Sequence, residues 1–206
     1  MTGNGPYAAH AALVDPARPR SELWRLGFGI LMIGAIMLGL GTGLDALLSS
    51  LPNGADFAAD LPQGDRPATM LVLLGSFGFL IIAVNATVRV LHNRSLGSVI
   101  GPGPRTRAQF LGVLAVLAGL GAALLLLPPY GMDDPLLDNL PPGAWVLLLP
   151  VSLTAVLIQT SAEEILFRGY VQQALAARFR SPLVWMGLPA VLFALGHYLP
   201  TEAGEN

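Results

Sequence analysis

Residues 144–169 read AWVLLLPVSLTAVLIQTSAEEILFRG. From Ala144 to Ala162 there is no charge, over close to the ~20 residues that cross a hydrocarbon core. The same helix then sets Glu163 and Glu164 side by side, with Arg168 one turn further on. Charge at membrane depth is costly and therefore rare, and it usually marks function.

Four further stretches are uncharged or nearly so: Leu26 to Leu48, Ala68 to Val88, Ala108 to Leu127 and Leu183 to Leu199. Hydrophobic residues make up 53% of the 206 and charged residues 12%, about half the charged share of a soluble domain. These runs predict an all-α, polytopic membrane bundle of five spans. Residues 1–22, with Pro6, Pro16 and Pro19, read as a flexible N-terminal tail. Residues 23–206 read as a single membrane-embedded domain, since no internal repeat or second domain is visible. The first apolar run begins too late and runs too long for a secretory signal, so it reads as a retained span. A net charge of -2 without any basic run predicts no nucleic-acid partner. Cysteine is absent, which removes disulfides and thiolate metal ligands.

The arginines set the orientation. Arg18, Arg20 and Arg25 flank the first span, while Arg89, Arg94, Arg105 and Arg107 surround the connection after the second. Arg168, Arg178 and Arg180 lie between the last two spans. The opposite loops carry Asp56, Asp60, Asp65, Asp133, Asp134 and Asp138, with Arg66 as their one base. The positive-inside rule makes the arginine-rich side, and hence the N-terminus, cytoplasmic.

Smaller features have bland readings. Gly39 and Gly43 have the spacing that lets helices approach closely. Trp24, Trp145 and Trp185 lie near span ends, where an interfacial aromatic belt is expected. His10 and His92 read as solvated or interfacial residues. Gln159, Thr160 and Ser161 read first as partners for helix carbonyls or for a neighbouring helix.

Pro150 is a candidate kink, and from Val151 the helical pattern can run on to about Phe179. Ser181-Pro182 breaks it, and a new helix starts near Leu183. Two helices on so short a link pack antiparallel. Glu163 lies 18 positions before residue 181 and His197 lies 16 after it. At ~1.5 Å per residue, both are roughly 24–27 Å from the turn, and so level with each other. Glu164 and Arg168, four apart, share a face and read as an ion pair. Glu163 points about 100° away and is left to face a cavity. A glutamate near water can take its proton, and a level histidine can position that water, donate a proton or bind a metal. Other readings stand beside this one. The Glu164–Arg168 pair alone is structural, an intramembrane glutamate also suits a proton relay, and His197 alone suits an interface.

At these residues the sequence resembles the CPBP family of intramembrane proteases, which includes the CAAX prenyl endopeptidases and the Abi or bacteriocin-processing-like proteins. Its Glu-Glu-x-x-x-Arg motif is matched by Glu163, Glu164 and Arg168, followed by Gly169. Its Phe-x-x-x-His motif is matched by Phe193 and His197. The matched region is residues 150–199. Arg94-Ser95-Leu96-Gly97 also looks like the family's connection at that place. The resemblance implies that Glu163 activates the hydrolytic water, that His197 helps hold the water or a metal, and that Glu164 braces Arg168. It names zinc as the candidate cofactor, with Glu163 and His197 as its ligands, and leaves metal use open. The family's later helix with His-x-x-x-Asn or Asp is not matched before Asn206, so the chain is expected to be a C-terminally truncated member.

The expected function is an intramembrane endopeptidase acting on membrane-associated proteins or peptides, in contact with the lipid bilayer of a bacterial plasma membrane. A non-catalytic scaffold or binding member of the family is the alternative. A small proton-coupled transporter using Glu163 is a third reading, for which paired broken helices would be a sign.

Overall fold

A computed structural model describes residues 7–126 and 141–198, and every regular element among them is helical. Helix α1 (Ala8–Val14) leads through a 3-10 turn (Asp15–Arg20) into α2 (Leu23–Ser49). Then come α3 (Gly54–Asp60), α4 (Pro67–Ser76), α5 (Gly78–His92), α6 (Leu96–Ile100) and α7 (Gly103–Leu126). Helix α8 (Pro142–Glu164) runs through a π turn (Ile165–Val171) into α9 (Gln172–Arg178). A second π turn (Leu183–Gly187) opens α10 (Leu188–Tyr198). The acidic connection with Asp133, Asp134 and Asp138 lies outside the described residues.

Four stretches are long and apolar enough to cross a membrane: Leu23–Ser49, Pro67–His92, Gly103–Leu124 and Pro142–Arg178. The fifth expected span is a shorter apolar helix, Leu183–His197. At ~1.5 Å per residue the 37-residue stretch Pro142–Arg178 is far longer than a hydrocarbon core. Part of the α8–α9 arm must therefore extend beyond it.

Local chemistry explains the element ends. Pro67 and Pro142 stand in the first turns of α4 and α8, where a missing N–H costs nothing. Asn93 ends α5 in the left-handed region (φ 51°), a conformation asparagine tolerates. This sharp stop turns Arg94 back toward the core, and its N–H bonds to Val88 O at 2.9 Å. The Ser95 hydroxyl caps α6 by accepting from Ser98 N–H at 3.3 Å.

The core forms where α2 and α5 pack together and the α8–α9 arm lies across them. Val84, Val88, Val99, Tyr170, Leu175 and Trp185 are all buried in one cluster. Facing the core along the arm are small residues seven apart: Ala155, Ala162, Gly169 and Ala176. By contrast, α7 is exposed along nearly its whole length, as a lipid-facing helix would be.

Two expectations change. Residues 8–20, placed in the flexible tail 1–22, are helical, and the segment packs against the core through Val14, which is fully buried. An apolar segment of seven residues is too short to announce itself by periodicity. Trp185, placed in an interfacial belt, is 1% exposed. The π turn after Pro182 carries it under α1, where His10 stacks on it at 4.9 Å and Tyr7 meets it edge-on at 5.2 Å. Trp24 and Trp145 are exposed near span ends, as a belt requires.

Candidate active site

The two motif segments meet through their aromatic residues. Phe167 packs edge-to-face on Phe193, with centroids 5.3 Å apart. This contact fixes the register of the hairpin. Each arm contains a π turn, so neither is displaced alone. Glu163 precedes Phe167 by four residues and His197 follows Phe193 by four. Both therefore lie about one turn, roughly 6 Å, further from the connection than the phenylalanine pair.

Glu163 is half-buried and accepts a hydrogen bond from Gln159 Nε2 at 3.2 Å, which orients one carboxylate oxygen. The His197 ring lies 4.3 Å from that of Phe193, and its Nδ1 is 2.9 Å from Phe193 O. A carbonyl only accepts, so Nδ1 carries the proton. In the neutral ring, Nε2 then holds the lone pair and can accept a proton or a hydrogen bond. His197 is exposed on α10.

Glu164 and Arg168 point elsewhere. Their closest atoms, Oε2 and Nε, are 3.7 Å apart, and both side chains are about half exposed. An ion pair that loose and exposed contributes little stability. It forms part of the wall of a cleft of about 230 Å³, together with Leu13, Val99, Ile165 and Gln173. This cleft opens onto Glu164 and Arg168 and not onto Glu163. The reason is the helical offset. Glu163 shares a stripe with Phe167 toward α10, whereas Glu164 faces α1 and α6. Thr160 takes the expected role and bonds back to Val156 O at 2.9 Å.

Three polar side chains to which the sequence reading gave no role in the site, His92, Arg94 and Gln173, brace this region. His92, expected at an interface, is 6% exposed. Its Nδ1 donates to Arg20 O at 3.0 Å, so its Nε2 accepts from the Tyr170 hydroxyl at 3.0 Å. Arg94 is buried and donates to Gln173 Oε1 at 2.7 Å, and Gln173 Nε2 donates to Val99 O at 2.7 Å. Histidine and arginine after an apolar run look interfacial, and only the left-handed Asn93 hints that the chain turns inward here.

Zinc in a hydrolytic site takes three protein ligands and one open position. Among the described residues, no three of His, Asp and Glu lie together as a metal site. Glu163 and His197 supply two donors and Glu164 faces away, so the described residues do not fit a three-ligand zinc centre.

Residues 144–203 match the family model for the Rce1-like proteins, type II CAAX prenyl endopeptidases. The resemblance read from the two motifs is thus borne out over the segment that carries them. The chain is also 27% identical over 201 residues to the uncharacterized protein YyaK of Bacillus subtilis (strain 168). That alignment covers 95% of this chain and 67% of that protein. No solved structure matches. Four helices are thus long and apolar enough to cross a membrane, and residues 144–203 are similar to a family of proteases.

Proposed function

Taking the match to the Rce1-like family as premise, we propose that this protein is an intramembrane endopeptidase. It would hydrolyse peptide bonds of membrane-associated proteins or peptides at a bacterial plasma membrane, with its N-terminus in the cytoplasm. One observation supports the reading: Phe167 packs on Phe193, and Glu163 and His197 each lie four residues, about one helical turn, beyond that contact. A proton acceptor and an imidazole with its Nε2 lone pair available are what water activation needs.

The chemistry follows from these two groups. A water between the helices donates one O–H to Glu163 and the other to His197 Nε2. Glu163 takes the proton as the water oxygen attacks the peptide carbonyl. The same proton then passes to the leaving amine, and the C–N bond breaks. Gln159 keeps the carboxylate aimed through this cycle. Glu164 steadies Arg168 on the other side of the helix. No step is routed through a metal.

The test is Glu163→Gln in proteoliposomes, with a membrane-tethered quenched-fluorescent peptide as reporter. Removing a general base of this kind lowers the rate by about 10²–10⁴-fold. The variant should otherwise fold as the parent does, because Gln159 can still bond the amide oxygen. Hydrolysis at the parent rate would sink the proposal. If the parent shows no hydrolysis and both proteins bind membrane partners equally, the scaffold reading takes its place.

A further inference from the structure

We propose that Arg94 is a positioning residue for this hydrolysis, holding the π turn that aims Glu163 at α10. The proposal rests on the endopeptidase reading above. A π turn is rare and is often found at functional sites. Here Ile165–Val171 follows directly on the two glutamates.

The π turn is held by one segment, His92 to Val99. His92 Nε2 accepts from Tyr170 at 3.0 Å. Arg94 Nη2 donates to Gln173 Oε1 at 2.7 Å, and Gln173 Nε2 reaches Val99 O at 2.7 Å. Val99 in turn packs against Gly169, where an added Cβ would stand 2.6 Å from Val99 Cγ1. Arg94 is itself fixed by Ser98, with Nε to Oγ at 3.2 Å and Nη2 to the carbonyl at 3.1 Å.

Arg94 and Gln173 are buried, with 9% and 2% exposure. Among the described residues no carboxylate lies within ion-pair distance of Arg94. A buried guanidinium held by neutral acceptors is a costly way to gain stability. Its planar fork does offer a geometry that lysine cannot copy.

The consequence for the site is rotational. A π turn accommodates one residue more than α geometry would. If it relaxed to α geometry, α8 would turn by about 100° relative to α9 and α10. Glu164 would then take the face that Glu163 holds, and Glu163 would turn from His197. The Arg94–Gln173–Val99 clamp opposes that slip.

The experiment uses the full chain in proteoliposomes, with Arg94→Lys and Gln173→Glu. The second variant keeps the acceptor for Arg94 and loses the donor to Val99 O. For each we expect kcat to fall by about 10²-fold, as for a misplaced catalytic group. KM should stay within about two-fold, since Arg94 and Gln173 are buried and offer a substrate almost no surface. The second readout needs no activity. The chain lacks cysteine, so Glu163→Cys with His197→Cys forms a unique cross-linking pair. Oxidative cross-linking of that pair should be efficient with Arg94 present and slow in the Arg94→Lys and Gln173→Glu backgrounds. The Glu164→Cys with His197→Cys pair should gain in the same backgrounds.

Unchanged kcat and unchanged cross-linking in both variants would overturn the clamp. If Arg94→Lys fails to insert or fold, Gln173→Glu decides alone by the same criteria. Absence of Glu163-dependent hydrolysis in the parent would overturn the endopeptidase reading and the catalytic role of the clamp with it. Cross-linking would still report whether the clamp sets the register, so the two failures are distinguishable.

Discussion

Gly29 is where a single hydrogen matters most. It is buried where α2 passes Tyr170, and an added Cβ would collide with the Tyr170 hydroxyl and stand 3.1 Å from Thr87 Cγ2. Gly29→Ala must push Tyr170 off its bond to His92 or part the helices. Overpacking of this kind costs about 1–3 kcal/mol. At Gly39 nothing lies within 4 Å, so Gly39→Ala should be neutral within about 0.5 kcal/mol. Thermal unfolding of the two variants in detergent checks the contrast, and equal melting temperatures would contradict it. The sequence alone pointed to the wrong glycines. Gly39 and Gly43 have the motif spacing, but spacing does not say which face of an apolar helix meets a neighbour. What identifies Gly29 is a tyrosine distant in the chain, which no local pattern reveals.

The α8–α10 hairpin shows which features of an element can be read in advance. Counting from Ser181-Pro182 placed Glu163 and His197 level, and the Phe167–Phe193 contact is what that register requires. Helical rise is a fixed quantity, so the pairing of the two motif segments was legible. The two π turns were not, because they leave no periodic signal and depend on tertiary contacts such as that of Tyr170 with His92. Those contacts make a prediction about coupling. Tyr170→Phe leaves His92 Nε2 without its donor, a buried acceptor whose loss costs about 1–3 kcal/mol. It also removes the atom that Gly29→Ala would strike. The double variant should therefore lose less than the sum of the single losses, by about 0.5–3 kcal/mol of coupling. Strict additivity in a double-mutant cycle of unfolding would show that Gly29 and the hydroxyl act independently.

For the whole molecule, composition and the apolar runs specified an all-α membrane protein, while the N-terminal segment escaped notice. Orientation can be tested directly because the chain lacks cysteine. Ser181→Cys should react with an impermeant thiol reagent only from the cytoplasmic side, and Ser50→Cys only from the opposite side; the reverse pattern would invert the topology. The N-terminal helix makes the last prediction. His10 stacks on Trp185 and is partly covered, and burial lowers its pKa from the ordinary 6.5. The packed state thus favours the neutral ring. The stability this contributes is present in full above pH 6.5 and is lost as pH falls from there through the lowered value. Attraction of an imidazolium to the indole face offsets part of the loss, so undocking should be graded rather than complete. Spin labels on Ala12→Cys and Ser181→Cys would report it as a broadening distance distribution between pH 7.5 and pH 5. In a His10→Phe background, which keeps the stack without the proton, the distribution should not move with pH. A parent protein that is equally insensitive would mean that His10 stays neutral or that its charge does not loosen α1.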